Sequence, residues 1–368
     1  MTDDQEKLTH YDDWVNDGPD AKVALVRREH LQPVSGHGGV IFPPTFANPD
    51  AKGEKGSIYV TDDLPGEQSV LLDTVGSQAN RMEALFLPPS GPFHDLVPQI
   101  EFTAQRPEGR PPVVVNLLEA GHRAADALVR FSDLEPEIRS AFRAIEEGRD
   151  YTPMARISPL SLVFGVWDSR GFSGARTKVP RMISSTVRAY DISVLHRRAQ
   201  FVPALRRKMD KGEIEQMAES SSEDKLSEDG LAEVLSYGLG GIVSRGPIVR
   251  EGILSLVALR NLAGKDEEST VKLRRYILGL AMLSLTAPLS PEYRSGCILV
   301  PDPKTPAHVE LVSRGGSRDP LDLGDVEAFA RLAAEDFGVT KGTNKKRFEW
   351  ESVRKALQKK KGKANKEG

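Results

Sequence analysis

Cysteine is nearly absent from this chain: Cys297 is the only one among 368 residues. A single cysteine excludes an internal disulfide and any metal site built from several cysteines. No apolar run approaches the roughly 18 residues needed to cross a bilayer. The first ten residues, MTDDQEKLTH, are acidic and polar, unlike a secretory signal. We therefore expect a cytoplasmic protein that does not bind a membrane.

The common signatures of enzyme active sites are also missing. There is no glycine-rich loop for a triphosphate, no His-Glu-x-x-His helix for zinc and no Gly-x-Ser-x-Gly turn for a nucleophilic serine. The segment 238–241 begins like a dinucleotide-binding motif, but Val243 occupies the place of its third glycine. These absences remove the usual motifs for nucleotides, for zinc and for a nucleophilic serine, and we expect no cofactor or bound metal. One alternative stays open, a metal-dependent ribonuclease that uses Asp168 or His37, although both residues also suit structural roles in turns.

Aromatic residues make up only 6% of the chain, which argues against a surface on which several bases stack. Arg170-Gly171-Phe172 matches the start of the strand motif of RNA-recognition domains, but Ser173 and Gly174 depart from it. The sequence therefore gives no support for a row of base-stacking aromatics on a sheet.

Charge is distributed unevenly along the chain. Residues 341–368 contain 11 Lys and Arg against 3 Glu, a local charge of +8, within a chain whose net charge is −3. Between Ser169 and Met209, ten Lys and Arg accompany one acid, Asp191. A basic block inside an acidic body indicates an anionic partner, with a solvated surface or a set of ion pairs as the alternative.

Helical and strand patterns are mixed without a regular alternation, which favours an α+β fold formed by one elaborated domain over residues 1–340. We predict helices around 75–86, 138–148, 247–262, 270–283 and 325–337, and strands at 21–27, 57–60, 69–74, 112–118, 160–167, 191–201, 297–300 and 309–312. Residues 206–230 are predicted to be a mobile polar insertion, and residues 341–368 a disordered basic tail.

The segment from Phe164 to Asp191 carries the pattern expected of phosphate binding. Its glycine-containing turn includes Arg170, Arg176 and Lys178, and Pro180 is predicted to open a helix. In such a helix Arg181, Ser185 and Arg188 would share one exposed face. Guanidinium and hydroxyl groups grip phosphate oxygens, and glycine permits close approach of the backbone. The alternative is a basic surface helix that binds nothing.

Four motifs together resemble one protein family. They are Ser77–Glu83 (SQANRME), His122–Ala127 (HRAADA), Phe164–Gly171 (FGVWDSRG) and the pattern Lys178-x-Pro-Arg181 followed by Arg188-Ala-Tyr190. The chain resembles, over about residues 31–312, the RAMP-superfamily backbone subunit of CRISPR Cascade complexes of type I-G, formerly I-U.

The resemblance implies a ferredoxin-like, RNA-recognition-type core with inserted thumb and finger elements, and residues 206–230 are a candidate thumb. It implies a non-catalytic subunit that polymerises with copies of itself along a CRISPR guide RNA and holds the RNA for pairing with target DNA. Other implied partners are the large subunit and the guide-processing or capping subunit. Type III relatives cleave RNA with a loop aspartate, which the loop Val34–Gly39 does not contain.

Under this resemblance, the polar residues of the first two motifs become candidate contacts to the sugar-phosphate chain. They are Ser77, Asn80 and Arg81 of the first motif and Arg123 of the second. The alternative for these three residues of the first motif is an intramolecular network that anchors neighbouring loops, and His122, which precedes Arg123, has a structural role at a helix end as its alternative.

Overall fold

The secondary structure is that of a computed structural model, which describes residues 3–18, 21–47, 57–64, 67–107, 109–172, 174–219 and 222–364. The strands are β1 (Lys22–Pro33), β2 (Phe46–Ala47), β3 (Ser57–Ile58), β4 (Thr61–Leu64), β5 (Glu67–Asp73), β6 (Gln99–Ala104), β7 (Val113–Asn116), β8 (Val166–Trp167), β9 (Lys178–Val179), β10 (Ile183–Tyr190), β11 (Ile192–Phe201), β12 (Val234–Ser244), β13 (Ile248–Ser255), β14 (Glu292–Arg294), β15 (Cys297–Pro301), β16 (His308–Ser313), β17 (Arg318–Pro320) and β18 (Thr343–Arg347). The helices are α1 (Asp3–Thr9), α2 (Asp12–Val15), α3 (Val75–Glu83), α4 (Ala127–Arg130), α5 (Glu135–Gly148), α6 (Thr152–Ile157), α7 (Leu160–Phe164), α8 (Lys211–Met217), α9 (Glu223–Glu228), α10 (Leu256–Arg260), α11 (Glu267–Thr286), α12 (Val326–Phe337) and α13 (Trp350–Ala364).

A large antiparallel sheet forms the centre of the molecule. Its strand order is β14-β15-β1-β13-β10-β5-β4, and β16 and β17 extend it beside β1. Strand β1 is therefore flanked by β13 on one side and by β15 and β16 on the other. The strands β16-β1-β13-β10 are each antiparallel to their neighbours, and helices occupy the connections from β1 to β10 and from β13 to β16.

Helix α11 forms much of the core. The stretch 276–285 is buried on every side, which is typical of a helix enclosed by its own domain. Gly279 allows α12 to approach closely, because a Cβ atom there would lie 2.8 Å from the Cα of Ala330. None of the described helices has the length and apolarity to cross a membrane. The helices predicted around 138–148, 270–283 and 325–337 are confirmed.

The predicted helix after Pro180 is wrong, because residues 183–190 form strand β10. Ile183, Ser185 and Val187 are buried, and the residues between them are more exposed, which is the two-residue period of a strand. Ser185 and Arg188 therefore lie on opposite faces of the sheet, and the predicted basic helix face does not exist.

Two further predictions about local structure are also wrong. Residues 160–164 form helix α7 and not a strand, and only Val166–Trp167 is extended. The segment after Pro247 first forms β13 and turns into helix α10 at Leu256. Both regions are rich in apolar residues, so short buried helices and strands could not be distinguished by periodicity.

The predicted insertion, of which 220–221 lie outside the described residues, contains ordered elements where it is described. It stands at the end of the ribbon β11–β12, which continues from the β10–β13 pair. Helices α8 and α9 enclose a small apolar cluster of Ile214, Leu226 and Ala232. A capping box at Asp210 begins α8, because Asp210 accepts the Glu213 N–H and Glu213 accepts the Asp210 N–H.

The C-terminal segment, of which 365–368 lie outside the described residues, is also ordered, contrary to the prediction of a disordered tail. Strand β18 pairs in parallel with β6, which lies between β18 and β7 in a small three-stranded sheet. Phe348 then meets Phe131 edge to face at 6.4 Å, and the Trp350 indole donates a hydrogen bond of 2.7 Å to the Gln105 carbonyl. Backbone pairing and two aromatic contacts thus dock a segment that has few apolar residues.

Deleting residues 343–368 should lower the free energy of unfolding by about 1–3 kcal/mol, because burial of a large apolar side chain contributes about that much. Urea unfolding monitored by circular dichroism measures the change. Deleting only residues 359–368 is the matched control, since it removes lysines and leaves Phe348 and Trp350. Equal stability of the long deletion and the full chain would contradict the docking.

Candidate nucleic-acid interface

Arg81 of the SQANRME motif is engaged in an internal network. The buried Asp73 carboxylate accepts hydrogen bonds from the Gln78 amide at 2.6 Å and from Arg81 Nε at 3.0 Å. The other guanidinium nitrogens of Arg81 donate to the carbonyls of Glu292 at 2.9 Å and Tyr293 at 2.5 Å. The alternative of an intramolecular anchor therefore accounts for Arg81, which joins α3 to β14.

The remaining polar residues of the motif divide between the interior and the surface. Ser77 is half-buried, and its backbone N–H donates to the hydroxyl of Thr74, which caps the helix. Gln78 is fully buried and accepts a 3.1 Å hydrogen bond from the buried Ser185 hydroxyl of β10. Asn80 is exposed. Of the predicted contacts considered so far, Asn80 alone presents its side chain freely to solvent.

Arg188 lies apart from the other predicted contacts. It forms an ion pair with Asp62 and lines a cavity of about 600 Å³ on the face of the sheet opposite Ser185. Its neighbours in that cavity include Arg28 and Glu251, which are themselves ion-paired at 2.8 Å. This face therefore combines charges of both signs.

A buried ion pair joins the first motif to the second. The Arg123 guanidinium donates to both carboxylate oxygens of Glu83, at 2.7 and 2.8 Å, and its third nitrogen donates to the Gly165 carbonyl at 3.2 Å. Burial raises the pKa of Glu83, and Arg123 partly offsets this by stabilising the carboxylate. Arg123 thereby connects α3 to the turn that leads into β8.

Gly165 brings that turn close to the chain around Arg181. Its φ of +82° favours glycine, and a Cβ atom would lie 2.8 Å from the Arg181 backbone nitrogen. The strands that follow pair Val166 with Val179 and Trp167 with Lys178. Because opposed residues point to the same face, Trp167 and Lys178 project outward together.

Asp168 orders the loop that carries Arg170. Its carboxylate is fully buried and accepts hydrogen bonds from the backbone N–H groups of Arg170 and Phe172 and from Arg130, the last at 3.0 Å. Arg130 also lies over the Phe172 ring at 4.0 Å. Of the two interpretations of Asp168, a catalytic residue or a structural residue in a turn, these contacts fit the structural one.

These elements enclose an open cleft of about 1520 Å³. Its walls are the turn at 121–125, helices α4 and α5, the α7–β8 turn, strand β9 with Pro180 and Arg181, and helix α13. Four of the ten predicted RNA contacts line it: Arg123, Arg170, Lys178 and Arg181. Arg176 is exposed on the loop that joins β8 and β9 but does not line the cleft.

The cations of the cleft fall into two groups. Arg123, Arg130 and Arg139 have carboxylate partners, Glu83, Asp168 and Glu135 respectively. Arg170, Lys178 and Arg181 are exposed and have no acidic partner among the described residues. Guanidinium and ammonium groups placed in this way around one cleft can bind an anion, and phosphates are ligands that such groups bind well.

Sequence reasoning missed two features of this cleft. Trp167 is 58% exposed at its surface, and helix α13 contributes Ser352 and Ala356 to its wall. The first had no signal in the sequence, because only the structure shows that Trp167 is exposed between buried Val166 and buried Asp168. The second depends on pairing between β18 and β6, which are more than 200 residues apart, so local patterns contain no signal for it.

The other candidate for catalysis is solvent-exposed. His37 lies in a turn with its side chain 59% exposed and its Nε2 atom 3.6 Å from Asp302. In the part of the chain that the structure describes, no group of three His, Cys, Asp or Glu side chains is placed to hold a metal ion.

Comparison with known proteins gives a match to a family model over part of the chain. Residues 25–194 match the family model described as CRISPR-associated protein GSU0053. The match spans slightly less than half of the chain and contains all ten predicted RNA contacts. No curated protein matches the chain.

Solved structures add only a weak likeness. A chain described as "CRISPR RNA-guided surveillance complex" is 8% identical and aligns over 86% of this chain and 81% of its own length, with a TM-score of 0.27. A score this low does not establish a shared fold.

Proposed function

We propose that this protein is a non-catalytic, guide-RNA-binding backbone subunit of a CRISPR surveillance complex of type I-G. The observation that carries the proposal is a cleft with three cations, Arg170, Lys178 and Arg181, that have no acidic partner among the described residues and lie in the segment that matches a CRISPR-associated family. Such a site binds phosphates whatever the base sequence, as a guide-binding subunit requires.

The proposed fold is a ferredoxin-like RAMP core. In that fold the four core strands have the spatial order 4-1-3-2 and two helical crossovers. The order β16-β1-β13-β10 with helical connections supports this assignment, β1 being the first strand and β10, β13 and β16 the second to fourth. The ribbon β11–β12 with its helical end, which continues from the hairpin between the second and third strands, would be the thumb.

The proposed partners are copies of this chain along one guide RNA, the large and guide-processing subunits, and target DNA paired to the guide. In this role the protein holds the RNA backbone, while sequence is read by base pairing between guide and target. The ion pair between Glu83 and Arg123 then helps to hold the wall of the cleft, and the exposed Arg170, Lys178 and Arg181 make the phosphate contacts.

Mass measurement on RNAs of increasing length tests the proposal. Mixed with repeat–spacer CRISPR RNA, the protein should form complexes whose copy number rises with RNA length, and labelled RNA should stay intact in Mg²⁺ or Mn²⁺. A fixed stoichiometry of one would instead indicate a monomeric RNA-binding protein. Divalent-dependent cleavage that is lost in His37→Ala or Asp168→Asn would establish the ribonuclease alternative.

A further inference from the structure

One large aromatic side chain is displayed in the cleft. Trp167 is 58% exposed and lines it, whereas Trp14 is buried and the Trp350 indole donates to the Gln105 carbonyl. Exposing a tryptophan to water forgoes the hydrophobic stabilisation of burying it. Its place in the cleft makes the indole available to a ligand with an apolar face.

Trp167 is held on a rigid support. Strand β8 pairs with β9, and the side chains of Val166 and Val179, which lie next to Trp167 and Lys178, are buried against the core. The next residue, Asp168, donates its N–H to the Thr177 carbonyl at 2.9 Å and is fully buried. An aromatic side chain on a fixed backbone has only two torsions to order, so little entropy opposes stacking on it.

The charged residues near Trp167 indicate which class of ligand would bind there. Lys178 stands directly opposite it in the ladder, and Arg170 and Arg181 line the same cleft without acidic partners among the described residues. An aromatic face beside such cations matches a base of a single strand together with its flanking phosphates. A duplex offers the phosphates but keeps its base faces stacked inside.

We propose that Trp167 stacks on a base of single-stranded RNA and that the cleft thereby prefers single-stranded over double-stranded RNA. This inference rests on the proposed function and deepens it, because phosphate contacts alone would not distinguish the two forms. It concerns one aromatic residue at a cleft, not a row of aromatics on a sheet.

The test compares wild type, Trp167→Ala and Trp167→Phe on an oligouridylate and on an RNA duplex of equal length, over a range of salt concentrations. Loss of one stacked base should weaken single-strand binding about 5- to 150-fold in Trp167→Ala. Trp167→Phe should retain most of the affinity, and duplex binding should not change. The salt slope should stay at the wild-type value in both variants, because no phosphate contact is lost.

Tryptophan fluorescence gives a direct readout of stacking. Oligouridylate should quench wild-type emission, and most of that quenching should disappear in Trp167→Phe, since Trp14 is buried and Trp350, which is 50% exposed, does not line the cleft. Wild-type affinity of Trp167→Ala for the oligouridylate, with a normal salt slope, would overturn stacking and leave the proposed function intact. Absence of salt-dependent RNA binding by wild type would overturn both. Thermal melting checks that each variant is folded.

Discussion

Replacing both Lys178 and Arg181 by alanine should flatten the salt dependence of RNA binding by about 1.4 units. Each phosphate contact to a single strand contributes roughly −0.7 to the slope of log affinity against log salt. Both residues line the cleft, are exposed and have no acidic partner among the described residues, so their contacts to phosphate would be direct. The loss should affect all RNA sequences alike and should weaken binding about tenfold or more at 0.1 M salt.

Two control variants separate the cleft from the rest of the surface. Lys265→Ala with Lys304→Ala removes the same total charge from exposed positions that do not line the cleft. Arg188→Ala removes the cation that pairs with Asp62 on the outer face of the sheet. Both should keep the wild-type slope. A flattened slope in Arg188→Ala with an unchanged slope in the cleft variant would place the RNA on that outer face.

Secondary structure could be predicted where the apolar residues of a segment fit only one periodicity. The prediction failed where the same segment fits both a helical and a strand periodicity. The stripe of Ile138, Ala141, Phe142 and Ile145 fits only a helix, and α5 forms there. Around β10, the positions of Arg181, Ser185 and Arg188 fit a helix face, while Ile183, Ser185, Val187 and Ala189 fit a strand. Packing of the alternating set against the core decides for the strand, because burial outweighs propensity.

Non-local contacts explain most of what sequence reasoning could not supply for the site. Arg81 and Arg123 were predicted to contact RNA, but their guanidinium groups bind Tyr293 and Glu83, which lie 212 and 40 residues away. A guanidinium that folding buries against a carboxylate has the same sequence signature as one that faces a ligand. Only Arg170, Lys178 and Arg181 combine the predicted chemistry with exposure in the cleft.

Arg123→Ala should destabilise the protein by about 3–5 kcal/mol, because it leaves a buried carboxylate without its cation. Glu83 is 4% exposed and receives two hydrogen bonds from Arg123, so the variant must either bury an unpaired charge or protonate Glu83. Arg139→Ala is the matched control. Its partner Glu135 lies one turn away on a surface helix, and such pairs contribute about 0.3–0.5 kcal/mol.

The destabilisation by Arg123→Ala should depend on pH with a definite sign. Burial already raises the pKa of Glu83 in the folded protein, and Arg123 opposes that rise, so its removal raises the pKa further. Between the unfolded pKa and this raised value the folded state binds more protons, so the unfolding free energy of the variant falls as pH increases. Urea titrations should therefore show a larger deficit relative to wild type at pH 7 than near pH 4.5. A deficit of equal size at both pH values would mean that Arg123 acts through its hydrogen bond to Gly165 and its packing, and not through the charge of Glu83.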